Sequence, residues 1–164
     1  MAIITNTEKQ QVLQQLIVEF GEEKIAPLVK SHHKWLQKHP EGTIAAWSKA
    51  MSLEALSFLD EQEPFWTFVA ARIYLAEVYS QQAERRGTTA DAVYTKFAEN
   101  VRILSKKGIY NPSIMESYSN EELEQLGNLL VAKRDSLFTY IALKTLLDRY
   151  VAKDFNKDIV ELPQ

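Results

Sequence analysis

Phe65 to Tyr79 of this 164-residue chain reads FWTFVAARIYLAEVY, in which only Thr67, Arg72 and Glu77 interrupt the apolar residues. Pro64 suits the first turn of a helix, and the apolar pattern continues toward Arg86. A helix that is apolar on nearly every side is usually buried on nearly every side. We therefore predict a long helix, from about residue 64 to 86, through the middle of the domain.

The composition of the whole chain fits a helical protein around that central element. Hydrophobic residues make up 46% and charged residues 25%, which is typical of a soluble globular protein. Only 5 glycines and 5 prolines are present, which leaves little material for the tight turns of a many-stranded sheet. The length allows one ordinary domain with a real core.

Charge and cysteine content exclude several classes of protein. The net charge is −3 and the basic residues are scattered, which gives no support to nucleic-acid binding. No run approaches the roughly 20 apolar residues that cross a membrane, and the N-terminus lacks the pattern of a secretory signal. The absence of cysteine excludes disulfides, thiolate catalysis and cysteine-bound metals, and fits a cytoplasmic protein.

Breaks in the apolar periodicity define the elements on either side of the central helix. We predict an all-α fold, an irregular bundle of about seven helices with a short C-terminal β-hairpin whose turn is DFNKD. Asp135 is predicted to cap the last long helix, which reaches about Val151. The other predicted helices, one of them brief, cover residues 7–19, 22–38, 44–59, 90–106, 113–118 and 119–131.

Residues that could carry chemistry have simpler explanations. Adjacent residues on a helix point about 100° apart, so His32 and His33 cannot share a metal, and we interpret them and His39 as solvated surface residues. The carboxylates of Asp60, Glu61 and Glu63 lie at a helix start, where negative charge is favoured. No glycine-rich phosphate loop or nucleophile motif occurs. We predict no catalytic, cofactor-binding or metal-binding residues.

Arg72 and Glu77 are the charged residues of the apolar helix. A buried charge is costly unless it is paired and hydrogen-bonded. Five residues apart, the two side chains lie about 140° apart around the helix. We therefore predict that each meets a partner on another element, most simply in a structural ion pair.

Three blocks of the sequence together resemble a known family. They are EPFWTFVAARIYL (63–75), GIYNPSIMESYSNEELEQL (108–126) and RDSLFTYIALKTLLDRYVAKD (134–154), the last followed by IVELPQ. In order and spacing they resemble the N-terminal helical region of the large (alpha) subunit of class I ribonucleotide reductase. The resemblance covers about the last hundred residues and implies a domain from 63 to 164.

That family reduces ribonucleotides, usually diphosphates, to deoxyribonucleotides by radical chemistry. Its catalytic cysteines lie in a ten-stranded barrel, and no position of this chain matches them. The resemblance implies a part that is not catalytic alone and that packs on the barrel, in the same or a separate polypeptide. A radical-generating small subunit would be an indirect partner. The candidate structural or interface residues are Arg72, Glu77, Arg134, Asp135, Phe138, Tyr140 and Lys144.

Residues 1–62 depart from the pattern of the family. Many large subunits begin with an ATP-cone, a small domain that binds ATP or dATP, but its KRDG-like hairpin is absent here. Trp47 and Ser48 stand where a nucleotide-contacting histidine is expected, and Ser80 and Gln81 where a lysine is expected. We interpret residues 1–62 as a helical extension or a degenerate cone, and expect no cofactor; binding of an ATP or dATP effector is the alternative.

Two hypotheses of function follow from the resemblance. In the first, the chain is the N-terminal helical part of the large subunit, either a truncated piece or one half of a split subunit, and aids assembly or regulation in deoxyribonucleotide synthesis for DNA replication. In the second, it is a stand-alone helical interaction module that binds a reductase subunit without completing it.

Overall fold

The computed structural model describes residues 6–164, and their regular structure is helical. Within these residues the all-α prediction is confirmed. None of their helices is both long and apolar enough to cross a membrane. Two 3-10 helices, Ala90–Lys96 and Ala132–Leu137, accompany the α-helices, which are α1 (Asn6–Phe20), α2 (Glu22–Lys38), α3 (Ile44–Ser57), α4 (Trp66–Arg86), α5 (Phe97–Lys106), α6 (Ile114–Ser117), α7 (Asn120–Asn128) and α8 (Tyr140–Arg149).

The chain forms two compact units. The first comprises the described residues up to Glu77 together with Phe138–Ile141. The second comprises Val78–Leu137 and Ala142–Gln164. The domain boundary predicted from the sequence, between residues 62 and 63, lies just before the start of α4. It stays a prediction.

The core of the first unit is built from α1, α2, α3 and the first half of α4. Trp47 and Trp66 are each 1% exposed and are the largest side chains of this core. The hydroxyls of Ser48 and Ser52 donate to the carbonyls of Ile73 and Ala70 on α4, both at 3.3 Å. Most apolar residues of α4 in this unit are buried as predicted, among them Val69, Ala70, Ala71 and Ile73, while Phe68, Tyr74 and Ala76 are half-buried.

His32 corrects one prediction for this unit. It is 1% exposed rather than solvated, and its Nδ1 accepts a hydrogen bond of 3.0 Å from Nε1 of Trp47. Burial, helped by the nearby charges of His33 and Lys9, lowers the pKa of His32 to about 4. The side chain is therefore a neutral core acceptor. The ring lies on the buried face of α2, where its Nδ1 provides the hydrogen-bond acceptor that the buried indole N–H of Trp47 needs.

Lys9 on α1 is a second buried polar residue of the first unit. It is 1% exposed, its ammonium donates to the carbonyl oxygen of Gly42, and it lies 5.5 Å from the ring centroid of Trp35. A Cβ atom at position 42 would lie 2.1 Å from the indole of Trp35. Only glycine therefore allows the loop before α3 to approach α2 this closely.

The second unit contains a small core between α5, α6 and α7. Ala98, Val101 and Leu123 are buried there, with Phe97, Tyr110, Ile114 and Met115 packed against them. Ser119 and Glu122 have the sequence spacing of a capping box, and the structure contains one at the start of α7. Ser119 Oγ accepts from the amide of Glu122 at 3.2 Å, and the Glu122 carboxylate accepts from the amide of Ser119 at 2.7 Å.

The predicted start of the last helix is wrong. Asp135 does not cap it, because the residue lies inside the 3-10 helix Ala132–Leu137 and its carboxylate is used elsewhere. The α-helix begins at Tyr140, whose amide donates to Oγ1 of Thr67 on α4 at 3.3 Å. The cap thus comes from a residue that is distant in sequence, which local spacing could not indicate.

The predicted C-terminal β-hairpin is also wrong. The segment makes its turn at Asp154–Asp158, but residues 6–164 contain only one isolated antiparallel bridge there, between Lys153 and Ile159. The carbonyl of Val160 and the amide of Ala152, which would pair with each other in a hairpin, are bound instead by side chains. Arg86 and Asn100 donate to the oxygen of Val160, and the amide of Ala152 donates to Glu161.

Candidate functional site

A buried carboxylate organises the second unit. Asp135 is fully buried and its Oδ2 accepts hydrogen bonds from the hydroxyls of Tyr79, at 2.5 Å, and Tyr94, at 2.6 Å. Its Oδ1 accepts from Nε2 of Gln164 at 2.7 Å. Three neutral donors from α4, a 3-10 helix and the C-terminal segment therefore meet at one charge. Hydrogen bonds to a charged group are roughly twice as strong as neutral ones.

The same arrangement fixes the protonation of the two tyrosines. Burial and the hydrogen bond to Asp135 raise the pKa of Tyr79 far above its ordinary value, and burial with the same carboxylate raises the pKa of Tyr94. Both hydroxyls therefore stay protonated and act as donors. The cluster is suited to holding chain segments together, because the oxygens of Asp135 are already bonded and enclosed.

The C-terminal strap, Ile159–Gln164, is the segment that this cluster holds. Gln82 Nε2 donates to the carbonyl of Ile159 at 2.6 Å. The carbonyl of Val160 accepts from Arg86 Nη2 at 3.2 Å and from Asn100 Nδ2 at 3.3 Å. Side chains of α4 and α5 thus take the place of a neighbouring strand along this part of the strap.

Two more side chains secure the end of the strap. Glu161 accepts from the hydroxyl of Tyr110 at 2.5 Å and from the amide of Ala152 at 2.6 Å. The amide group of Gln164 binds both backbone groups of Val131, donating to the oxygen at 2.7 Å and accepting from the nitrogen at 3.1 Å. The strap is therefore fixed in register as well as in position.

The charged residues predicted for α4 have different surroundings. Arg72 forms an ion pair with Glu19 of α1, with 2.8 Å between Nη2 and Oε1, and its guanidinium lies 6.0 Å from the ring of Phe20. An inter-element partner for Arg72 therefore agrees with the structure. Glu77 is half-buried. A role of either residue in an interface stays a prediction.

The remaining predicted residues do not gather in one place. Phe138 and Tyr140 belong to the first unit, where Tyr140 packs on Tyr74 with 5.8 Å between ring centroids. In the second unit Arg134 is exposed, and Lys144 pairs with Asp148 at 2.8 Å on the surface of α8. Of the seven candidates, only Asp135 belongs to the buried network.

Sequence reasoning missed the partners of Asp135 and the side chains that hold the C-terminal strap. Tyr79 and Gln82 fall within the apolar helix, where they look like ordinary core-facing residues. Tyr94 lies in a segment without a recognisable motif, and Glu161 and Gln164 lie in IVELPQ, whose family resemblance indicates no hydrogen-bonding role for either. The one available signal was the "RD" of Arg134 and Asp135, which marked the acceptor but not its donors. Residues 6–164 contain no group of three or more His, Asp or Glu side chains placed to hold a metal ion.

Comparison with known proteins identifies relatives of the chain. No protein-family model matches it. Alpha subunits of ribonucleoside-diphosphate reductase do match. The Helicobacter pylori protein is 34% identical over 110 residues, 67% of this chain, and the Treponema pallidum protein is 31% identical over 133 residues, 80% of this chain. The subunit of phage T4 is 29% identical over 115 residues.

The matched part of each relative is small. It amounts to 13% of the Helicobacter pylori subunit, 15% of the Treponema pallidum subunit and 14% of the phage subunit. The sequence resemblance to the reductase large subunit is thereby confirmed, over a limited stretch. The chain is homologous to a short part of the alpha subunit of ribonucleoside-diphosphate reductase.

Proposed function

We propose that this chain is the N-terminal helical part of a ribonucleotide reductase alpha subunit and that it packs against the catalytic barrel. It would thereby contribute to reducing ribonucleoside diphosphates without itself carrying out the reaction. The observation that carries the proposal is the 34% identity to an alpha subunit over two thirds of this chain but only 13% of the relative. A piece of that kind needs the rest of the subunit for activity.

The surface of the second unit supports a packing role. Leu129 is 65% exposed and Leu137 is 76% exposed, although large apolar side chains in contact with water gain from being covered. Leu137 is the last residue of the 3-10 helix that contains Asp135, and Leu129 lies three residues before that helix begins. The buried network would hold this surface and the C-terminal strap in fixed positions for the barrel.

The test combines the 164-residue chain with a polypeptide that carries the barrel of the relatives. We expect a stable complex by analytical ultracentrifugation, and reductase activity once the small subunit and a reductant are added. Leu137→Ser should weaken the complex at least about tenfold, since burying a leucine contributes about 2 kcal/mol. Leu53→Ser is the matched control, because Leu53 is 56% exposed on α3 of the first unit.

The two hypotheses of function give different results in that test. A complex without activity favours the stand-alone interaction module, which binds a reductase subunit without completing it. If neither a complex nor activity is found, both hypotheses are ruled out. A cytoplasmic location is part of the proposal, and cell fractionation tests it.

We also propose that residues 1–62 bind neither ATP nor dATP, as expected of a helical extension or a degenerate cone. The supporting observations are the absence of a KRDG-like segment and the burial of Trp47 and Ser48 in the core of the first unit. Isothermal calorimetry with ATP and with dATP tests this. Saturable heat from either nucleotide would contradict it.

A further inference from the structure

A cavity of about 280 Å³ opens in the second unit beside the C-terminal strap. Its apolar wall includes Phe97, Val101, Leu130 and Leu146. All of these except Val101 are half-buried, so part of the wall is in contact with water. Small-molecule sites in proteins occupy roughly 300–1,000 Å³. This cavity lies just below that range, which suits a group of the size of one large side chain.

The charged side chains and the inner tyrosines of the cavity already have partners inside the unit. Tyr110 donates to Glu161 at 2.5 Å, and Tyr94 donates to Asp135 at 2.6 Å. Arg86 donates to two backbone carbonyls through Nη1 and Nη2. Its Nε has no acceptor among the described residues, but it is enclosed and cannot be reached from the cavity. What the cavity offers an occupant is therefore apolar contact.

The mouth of the cavity is continuous with the exposed apolar surface of this unit. Tyr150 lines the cavity and is 74% exposed. Leu130 also lines it and follows Leu129 in the chain, which is 65% exposed and belongs to the surface with the proposed packing role. A protein that covered this surface would therefore cover the cavity as well.

The C-terminal strap indicates which protein that would be. Leu162, Pro163 and Gln164, the last residues of the strap, line the cavity. If the chain is the N-terminal part of an alpha subunit, the rest of the subunit follows the strap and approaches the chain beside the cavity. The matched stretch is only 13% of the Helicobacter pylori subunit, so most of such a subunit remains to cover this face.

We propose that the cavity receives one large apolar side chain of the barrel polypeptide and is the central contact of the packing surface. Binding energy at protein interfaces is concentrated in a few anchor residues that fill desolvated pockets. An apolar anchor in this cavity would cover Phe97, Leu130 and Leu146 and exclude water from them. The inference rests on the proposed function, because it names the place on this chain where the barrel binds.

A cavity-filling variant tests this in the complex of the full chain with the barrel polypeptide. Leu130→Trp should occupy the cavity and weaken the complex at least about tenfold in analytical ultracentrifugation, since loss of a central anchor costs that much or more. Ile103→Trp is the matched control and should leave the affinity unchanged, because Ile103 is 42% exposed on α5 and does not line the cavity.

The outcomes separate this inference from the proposed function. If the parent chain forms the complex and Leu130→Trp binds as tightly, the cavity is not the contact, while the proposed function stands. Equal weakening by Leu130→Trp and Ile103→Trp would also contradict the assignment, because the effect would then not depend on the cavity. If the parent chain forms no complex, the proposed function fails, and this inference fails with it.

Methyl spectra of the parent chain give a readout that does not depend on the folding of any variant. In ¹H–¹³C spectra, the methyl signals of Val101 and Leu130 should shift when the barrel polypeptide is added, because the entering side chain would lie against them. The methyl signals of Val12, in the core of the first unit, should stay in place. Unchanged signals of Val101 and Leu130 in a complex that does form would overturn the proposal.

Discussion

Two residues show how burial decides what a side chain does in this protein. His32 looks like a surface residue in the sequence because it stands beside His33 and close to lysines. Its ring is nevertheless enclosed and accepts a hydrogen bond from Trp47. Asp135 looks like a helix cap but is a buried acceptor for three donors. In both cases the partner lies far away in sequence, so local pattern could not reveal the role.

The stability of the protein should depend on pH through His32. Its pKa is about 4 in the folded state against about 6.5 in an unfolded chain, so the unfolded state binds the proton more readily. Stability should therefore be intact above pH 6.5 and fall as the pH drops toward 4, by up to about 3 kcal/mol. Urea unfolding at pH 7, 5.5 and 4.5 measures this.

Matched variants separate His32 from other titrating groups. His32→Gln keeps an acceptor for Trp47 and cannot take up a proton, so its stability should vary less between pH 7 and 4.5. His33→Gln, at an exposed position, should retain the pH dependence of the parent chain. If His32→Gln and the parent lose stability equally, the buried histidine is not the cause.

Removing the carboxylate of Asp135 should be severely destabilising. Asp135→Ala removes the carboxylate to which Tyr79, Tyr94 and one N–H of the Gln164 amide donate, leaving Tyr79 only the longer contact with the carbonyl of Ala132, and each unsatisfied buried group costs about 1–3 kcal/mol. We expect a loss of about 3–5 kcal/mol in chemical denaturation. Asp148→Ala, which breaks the exposed pair with Lys144, should cost less than about 1 kcal/mol. Similar losses in the two variants would contradict the role of the network.

At the scale of elements, helix ends in this protein are set by two kinds of contact. The start of α7 follows from a local capping box, which the sequence indicates directly. The start of α8 depends on Thr67, 73 residues earlier in the chain. The first kind can be predicted from spacing, and the second becomes visible only when the fold brings the two helices together.

The cap on α8 can be tested by conservative substitution. Thr67→Val removes the hydroxyl with little change of shape and should cost about 1 kcal/mol of stability, since loss of a cap typically costs that much. Thr67→Ser keeps the acceptor and should recover most of the loss. Thermal unfolding of the three proteins gives the comparison. Equal stability of the valine variant and the parent would rule out the cap.

The C-terminal strap gives a second prediction at this scale. Gln82→Ala removes the donor to the carbonyl of Ile159, so the strap should open more often. The amide of Val160, which donates to Ala152, should then exchange with deuterium at least about fivefold faster, as expected for loss of about 1 kcal/mol. Glu84→Ala, at an exposed position of the same helix, is the control. Unchanged exchange in Gln82→Ala would contradict this role of the side chain.

At the scale of the whole molecule, the central apolar helix was the most informative part of the sequence. Its buried residues follow from composition alone, because so few polar side chains interrupt the stretch from Phe65 to Tyr79. The hairpin prediction failed for a physical reason. Side chains of Arg86 and Asn100 bind the carbonyl of Val160, and Glu161 binds the amide of Ala152, although these two backbone groups would pair with each other in a hairpin. Such competition between side chain and backbone leaves no periodic pattern in a sequence.

The exposed apolar residues also belong to this scale. Beyond Leu129 and Leu137, Tyr150 and Phe155 are 74% and 83% exposed in the second unit. If they are covered in the complete enzyme, their contact with water should change on assembly. We expect addition of the barrel polypeptide to protect this surface from hydroxyl-radical labelling while leaving Val18, in the first unit, labelled as before. Equal labelling with and without the barrel polypeptide would contradict the packing role.

The side-chain amide of Gln164 makes the end of the strap sensitive to deamidation of this one residue. Its NH₂ donates to both Val131 and Asp135, while its oxygen accepts from the Val131 nitrogen. Deamidation would replace the NH₂ by an oxygen and turn two attractive contacts into repulsive ones, with two carboxylates facing each other. Slow deamidation at this one position would therefore release the strap without any mutation in the gene.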